Sequence, residues 1–370
     1  MLIRIPIFAL IILVSLSVMH PACALTFDAL RAGLEEEHKA GFVSRKEHGN
    51  LVLYNYNQRC VYKKRWTVFT LVARGIVLAP ALQRVVALPF PKFFNYGEAG
   101  SPDFPLTAGD GTLVSEKMDG SLAIVFHDGN EWQVVTRGSF DSSQSQWAKK
   151  WLAQRGLFAR LQPGTTYLTE IIYPENRVVV DYGPTYENII LLGAYRATGA
   201  EVTDLASLNT GLDLVAYHAF AALTDIVRAC DTLPMTREGF VLRRPDGTRL
   251  KFKGTAYLAA HKAQAGLSPL AVWTLMRDCG DLAAFRAKLP EEFYDEFDAI
   301  AKGLVDALAR VHQRIAKLSE NTANLSNKEV ALTLSEEEKS LVFLSRRPRY
   351  AEAMTKAGKD RTFLFNLFKP

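Results

Sequence analysis

The chain has 370 residues, 48% hydrophobic and 22% charged, which is the balance of a folded globular protein with room for two domains and a sizeable core. Its net charge of +5 permits a nucleic-acid partner without requiring one. The four scattered cysteines, Cys23, Cys60, Cys230 and Cys279, exclude a Cys-x-x-Cys zinc site and a dense disulfide framework.

At the N-terminus Arg4 precedes an apolar run from Ile5 to Met19, then His20-Pro21 and Ala22-Cys23-Ala24. A basic start, a short apolar core and a small-x-small site resemble a secretory signal peptide over residues 1–24, cleaved after Ala24. The run is shorter than the roughly 18 apolar residues a membrane span needs. A lipoprotein site at Cys23 fits poorly with His20 and Pro21. A start codon chosen too far upstream is the alternative.

Leu25 to Lys39 has the spacing of a helix with an acidic, solvated face. Strand-like runs follow at Leu51–Tyr56, Thr67–Ala73, Ile76–Leu78 and Val85–Leu88. Residues 101–111, rich in Pro, Gly and Asp, read as a loop. Leu122–Phe126 is an apolar strand, turned by Asp128-Gly129-Asn130 into Trp132–Thr136. Gln146–Phe158 reads as a helix; Thr166–Ile172, Arg177–Asp181 and Asn188–Tyr195 read as strands; Leu212–Val227 looks helical. Glu238–Arg243 and Arg249–Lys253 form a hairpin about Pro245-Asp246-Gly247. Beyond Tyr257 the pattern turns helical, at Leu270–Arg277, Phe293–Leu318 and Val330–Leu344. The boundary falls near residues 258–266. The expectation is an α+β chain, with an antiparallel-sheet domain over 25–262 and an all-helical domain over 263–370.

The chemistry-bearing stretch is Val114–Leu122, where Lys117 stands two residues before Asp119-Gly120 on a turn feeding a strand. A lysine nucleophile needs a partly deprotonated amine, which burial or neighbouring positive charge provides. Asp119 accepts hydrogen bonds at a turn, and Gly120 leaves room for a ligand close to the backbone. Alone, Lys-x-Asp-Gly is a weak signal. It gains weight from four stretches downstream, in this order: Thr136-Arg137-Gly138-Ser139, Glu170 in an apolar strand, Glu238-Gly239, and Lys251-x-Lys253. An acid in an apolar strand is costly unless paired. Lys251 and Lys253 alternate on one strand and so share a face. Arg74 and Lys92, taken singly, read as surface charges.

This order resembles the covalent nucleotidyltransferase superfamily of ligases and capping enzymes, and within it the phage RNA ligase 1 family and the ligase domain of fungal tRNA ligases. Ala73-Arg74-Gly75-Ile76, Pro91-Lys92-Phe93-Phe94-Asn95, the run Tyr173–Val179, and Lys251-Phe252-Lys253 followed by Tyr257 and His261 carry the narrower match. The resemblance covers roughly residues 25–262. It implies a nucleotidyltransferase (adenylyltransferase) domain with Lys117 as the nucleophile and Asp119, Gly120, Lys251 and Lys253 in the catalytic set. Tyr56, Arg74, Lys92, Phe94, Arg137, Glu170, Glu238 and Tyr257 are then expected around ATP. Glu238 and Asp281 are expected near Mg²⁺ or Mn²⁺. At position 137 this chain has Arg where the family often has Lys, which keeps the charge and changes its geometry.

The implied activity is ATP-dependent joining of RNA 5′-phosphate and 3′-hydroxyl ends through a lysyl-AMP, in RNA or tRNA repair. An end-healing kinase or phosphatase would be a partner, and a monomer is expected. The alternatives are a related adenylyltransferase with a DNA or protein acceptor, and an exported or inactive nucleotide-binding or nucleic-acid-binding protein of the same fold. The signal-like N-terminus favours export, whereas ATP chemistry favours a compartment such as the cytoplasm. Arg346-Arg347-Pro348-Arg349 is a candidate phosphate contact or a solvated basic patch.

Overall fold

The computed structural model describes residues 19–98, 112–348 and 365–370. Residues 101–111, Arg349 and most of the N-terminal apolar run lie outside them. The chain divides into two compact units, Met1–Tyr257 and Leu258–Pro370.

The first unit carries three sheets. After helix α1 (Phe27–Lys39), strands β1 (Val43–His48), β2 (Leu51–Tyr56), β3 (Arg74–Ala79) and β4 (Arg84–Ala87) form an antiparallel sheet in that order. Between β2 and β3 lie α2 (Gln58–Tyr62) and α3 (Val68–Val72). Thr67–Ala73 is therefore a short helix rather than the expected strand. Thr67 and Thr70 cap it reciprocally, and this local bonding outweighs the β-branched composition.

Next come β5 (Phe94–Asn95), β6 (Leu113–Lys117), β7 (Ser121–His127), β8 (Trp132–Thr136), helix α4 (Ser143–Gln154), β9 (Thr165–Ile172) and β10 (Asn188–Arg196). The short strands β11 (Glu201–Val202), β12 (Asp213–Leu214) and β13 (Tyr217–His218) lead to helix α5 (Leu223–Thr232), β14 (Gly239–Arg243) and β15 (Arg249–Lys253). One sheet runs β11-β10-β9-β7-β8, with β12 added beside β10; the other runs β13-β6-β14-β15-β5.

Strand β9 is buried along its whole length because the sheet is covered on both faces. Ile124, Phe126 and Leu168 pack with the first sheet, while Ala123, Val125, Tyr167 and Ile171 pack on α4. The sheet containing β14 and β15 backs its Phe240, Leu242, Leu250 and Phe252 onto α5. Its other face carries Val241, Lys251 and Lys253 into a cleft.

Two further expectations change here. Arg177–Asp181 is irregular, because the Val179 and Val180 amides donate to the Asp119 carboxylate at 2.8 and 2.7 Å instead of joining a ladder. Leu212–Val227 holds the strands β12 and β13 before its helix begins at Leu223.

Residues Met19–Ala24 belong to this unit's packing. Met19 bridges to Ala200, and His20 N donates to the Gly199 carbonyl at 2.8 Å. The His20 ring is 1% exposed, lies edge-on to Tyr195, and has Nε2 2.8 Å from the Pro89 carbonyl. Ala22 joins the core. The expected cleavage point after Ala24 thus follows a 3-10 turn, Pro21–Ala24, wedged beside α3.

The second unit is helical: α6 (Thr255–Gln264) crosses into it, followed by α7 (Pro269–Arg277), α8 (Leu282–Lys288), α9 (Tyr294–Asn321), α10 (Asn327–Thr333) and α11 (Glu336–Ser345). Ile315 on α9 is buried against Leu341 and Leu344 of α11. Val330–Leu344 is split into two helices, because Ser335 and Glu338 cap each other at the start of α11. Arg346 donates to the Thr322 and Leu325 carbonyls at 2.8 and 3.0 Å, so this arginine of the basic cluster ties off the end of α9. Among the described residues no helix is long and apolar enough to cross a membrane.

Candidate active site

The cleft of the first unit is about 520 Å³ and lies between the faces of β9 and β14 that carry Glu170 and Val241. Its floor is a grid set by strand register. Lys117 on β6 pairs with Gly239 on β14, which pairs with Lys253 on β15. One step along, Ser115, Val241 and Lys251 align; a further step gives Leu113, Arg243 and Arg249. Each step is two residues, about 7 Å of strand.

Glu238 ends the first row. Its Oε2 accepts from Lys117 Nζ at 2.7 Å, and its Oε1 lies 3.0 Å from Lys253 Nζ. The carboxyl is 3% exposed. Burial alone would raise its pKa, but Lys117 and Lys253 outweigh burial and hold it below the usual range. Gly239, at φ +148°, could not carry a side chain, because a Cβ would run into the Phe252 carbonyl.

Lys251 is the cation of the middle row. Burial, followed by the charges of Lys92, Lys253, Lys117 and Arg74, pushes its ammonium down to about 7. Its Nζ lies 5.6 Å from the Phe93 ring centroid, and among the described residues no carboxylate forms a salt bridge with it. The third row is neutralised differently: Glu201 accepts from Arg243 Nε and Nη2 at 3.0 Å each, and also from Arg249.

Glu170 faces this floor from β9. Burial first, then the charges of Glu238 and Asp119, push its carboxyl up to about 8 despite Lys117 and Arg74. Arg74 and Arg137 complete the wall; Arg137 Nη1 donates to the Tyr56 hydroxyl at 3.1 Å. Gly120 also lines the cleft, where a Cβ would strike the Ile171 carbonyl.

Lys117, Gly120, Lys251, Lys253, Arg74, Arg137 and Glu170 therefore meet at the cleft, with Glu238 bonded to its lysines. Other expected residues stand behind the wall. The Asp119 carboxylate is buried and accepts from Val179 N, Val180 N and, at 2.8 Å, the Tyr257 hydroxyl. Asp119 and Tyr257 thus brace the lysine turn rather than face the cavity. Lys92 sits between the rings of Tyr56, Trp66 and Phe94, 3.7 Å from Glu98. It reaches the site through its charge on Lys251. Tyr56 and Phe94 form that box, while the neighbouring Phe93 lines the cleft.

Asp281 lies in the second unit and caps α8, accepting from Ala284 N at 2.9 Å. Among the described residues no group of three His, Cys, Asp or Glu could hold a metal ion. The donor set suits an ion that brings its own phosphate oxygens and takes one protein carboxylate.

Sequence reasoning passed over Arg249, Arg243 and Glu201. The alternation that pairs Lys251 with Lys253 extends back to Arg249 and signals its direction. Glu201 comes from another sheet and left no local sign.

A lysine bonded to a glutamate thus lies on a cation-lined floor between antiparallel sheets, in a nucleotidyltransferase-type fold. The RNA ligase family model matches residues 72–257, just over half of the chain, and the chain belongs to that family. The RNA ligase of Rhodothermus phage RM378 is 26% identical over 210 residues, 45% of this chain and 46% of its own. RNA ligase 1 of bacteriophage TS2126 is 31% identical over 127 residues, 30% and 31% of the two chains. The chain thus spans less than half the length of these relatives. Among solved structures, an archaeal ATP-dependent RNA ligase overlaps 79% of this chain and 83% of its own, at 16% identity and a TM-score of 0.45.

Proposed function

We propose that this chain is an ATP-dependent RNA ligase that works through a lysyl-AMP. The observation that carries the reading is Lys117, bonded to Glu238 at one end of a floor whose central cation, Lys251, has no carboxylate salt-bridge partner among the described residues. A buried cation of that kind suits a polyphosphate.

Lys117 gives up a proton and its amine attacks the α-phosphorus of ATP. A P–N bond forms, and the P–O bond to pyrophosphate breaks. Lys251 and Lys253 stabilise the charge that develops on the phosphoryl oxygens. Glu170, whose carboxyl burial pushes up to about 8, faces the cleft and would meet a ribose hydroxyl there. An RNA 5′-phosphate oxygen then attacks the phosphorus, and the lysine amine leaves and regains its proton. An RNA 3′-hydroxyl finally attacks the activated 5′-phosphate, forming the phosphodiester and releasing AMP. Mg²⁺ or Mn²⁺ would supply charge neutralisation on the phosphates, and Glu238 would be the carboxylate to hold it once a lysine has left it.

Repair of RNA or tRNA ends, an end-healing partner, a monomeric state and an ATP-containing compartment such as the cytoplasm complete the reading. Incubation with ATP and Mg²⁺ should add one AMP, roughly 330 Da, to the protein as its covalent intermediate. Lys117→Ala should take none; an adduct surviving there would refute the assignment. Pre-adenylylated RNA and DNA strands of one sequence then test the acceptor. Sealing should prefer an RNA 3′-hydroxyl and weaken as salt rises. Equal sealing of DNA would favour the broader adenylyltransferase reading.

A further inference from the structure

Glu116 and Lys117 are consecutive on β6 and point to opposite faces of the sheet. On the back face the Glu116 carboxylate accepts from Arg237 Nε at 2.8 Å and from Arg237 Nη2, and it lies 2.7 Å from His218 Nε2. Its side chain is only 14% exposed. Aromatic rings wall the group: His218 lies edge-on to Phe240 at 5.2 Å, and the Arg237 guanidinium stands 5.5 Å from the same ring. A carboxylate this withdrawn from water needs such partners.

Each member neighbours a front-face residue: Glu116 precedes Lys117, Arg237 precedes Glu238, and His218 follows Tyr217 of the cleft wall. The pairing of β14 with β6 begins at Gly239, so Glu238 lies one residue outside that ladder. The first residue of that ladder, next to Glu238, is Gly239, at φ +148°. On the β15 side the Glu238 carbonyl accepts from Gly254 N at 2.8 Å; on the β6 side the ladder stops at this glycine joint, so the hold on residues 237 and 238 there falls to side chains.

We propose that Arg237, Glu116 and His218 form a clamp on the back of the sheet that fixes Glu238 against Lys117 on its front. They are positioning residues, and the proposal rests on the ligase reading above. Arg237 anchors the segment before the joint to the residue next to the nucleophile. Its planar fork fixes orientation as well as distance. His218 shares Glu116 Oε2 with Arg237 Nη2 and carries the tie across to β13.

The test compares wild type with Glu116→Gln, Arg237→Gln, Arg237→Lys and the double variant Glu116→Gln/Arg237→Gln. It measures single-turnover AMP transfer at saturating ATP and Mg²⁺, ATP affinity by equilibrium dialysis, and melting temperature. Glu116→Gln and Arg237→Gln should each slow transfer about 10- to 100-fold, the scale of a misplaced reacting group. ATP affinity should stay within ~3-fold, which separates positioning from binding. The double variant should be no slower than the worse single one, because both break one tie. Arg237→Lys, which keeps the charge and loses the fork, should fall between; it and Glu116→Gln keep the test open if Arg237→Gln does not fold. Near-wild-type transfer in folded variants would overturn the clamp and leave the ligase reading standing, as would ATP affinity falling in step with rate. A wild-type protein that takes no AMP would overturn both.

Discussion

Lys117 and Glu238 are separated by 121 residues of chain and by 2.7 Å of space. A lysine donating to a carboxylate cannot attack phosphorus until it has lost its proton, so on the ligase reading Glu238 would hold the nucleophile ready without releasing it. Glu238→Gln should slow lysyl-AMP formation about 10²-fold, the effect of losing one placed electrostatic partner. Rapid-quench labelling with ATP checks this. An unchanged rate would reduce Glu238 to a packing residue.

On the same reading, Lys251 should make ATP binding sensitive to pH. Its ammonium, held to about 7, should regain its proton when a phosphate arrives. Binding at pH 8 should therefore take up close to one proton, and affinity should weaken as pH rises above 7. Calorimetry in two buffers of different ionisation enthalpy reads the uptake directly. Lys251→Ala should abolish it and cost about 10²-fold in adenylylation; equal uptake in that variant would assign the proton elsewhere.

Asp119 should behave as a brace. Its carboxylate gathers two backbone amides and the Tyr257 hydroxyl. Asp119→Ala should cost about 3 kcal/mol of stability, the upper range for hydrogen bonds to a buried charge, and lose AMP transfer with it. Tyr257→Phe should cost about 1 kcal/mol and retain transfer. Denaturant melts with labelling assays distinguish the two, and a fully stable but inactive Asp119→Ala would return Asp119 to the chemistry.

His20 should make the fold acid-sensitive. Burial first, with Arg249 adding, lowers its pKa from 6.5 to about 4 against the Pro89 carbonyl and Glu201. The unfolded chain then binds a proton that the folded chain refuses, so this contribution is complete above pH 6.5 and is lost as pH falls toward 4. His20→Gln should flatten that part of the melting-temperature profile between pH 7 and 5. A parallel fall in both proteins would place the acid sensitivity elsewhere.

Much of the fold was legible because β7, β8, β14 and β15 each carry their pattern in a few consecutive residues. The site was legible where spacing fixes a face, as at Lys251 and Lys253. It was less so where tertiary bonding decides. Thr67–Ala73 has the composition of a strand until its two threonines cap each other, and Val178-Val179-Val180 reads as a strand until Asp119 takes its amides. Lys92 and Phe94 were expected at the nucleotide, yet the cation went into a box of rings. Glu116, Arg237 and His218 carry no motif, because their meeting depends on a register between strands more than a hundred residues apart.

The wedge of His20–Ala24 would set folding against proteolysis in any chain that met a peptidase acting after Ala24. Once His20 is seated against Pro89 and Tyr195 and Ala22 is in the core, the bond after Ala24 is part of a packed turn. A peptidase that cuts there must reach the chain before the wedge closes, since folded segments yield to proteases only through opening. A chain cut early would fold with β10 and Pro89 facing a gap. Left uncut, His20 and Ala22 are part of the packed interior.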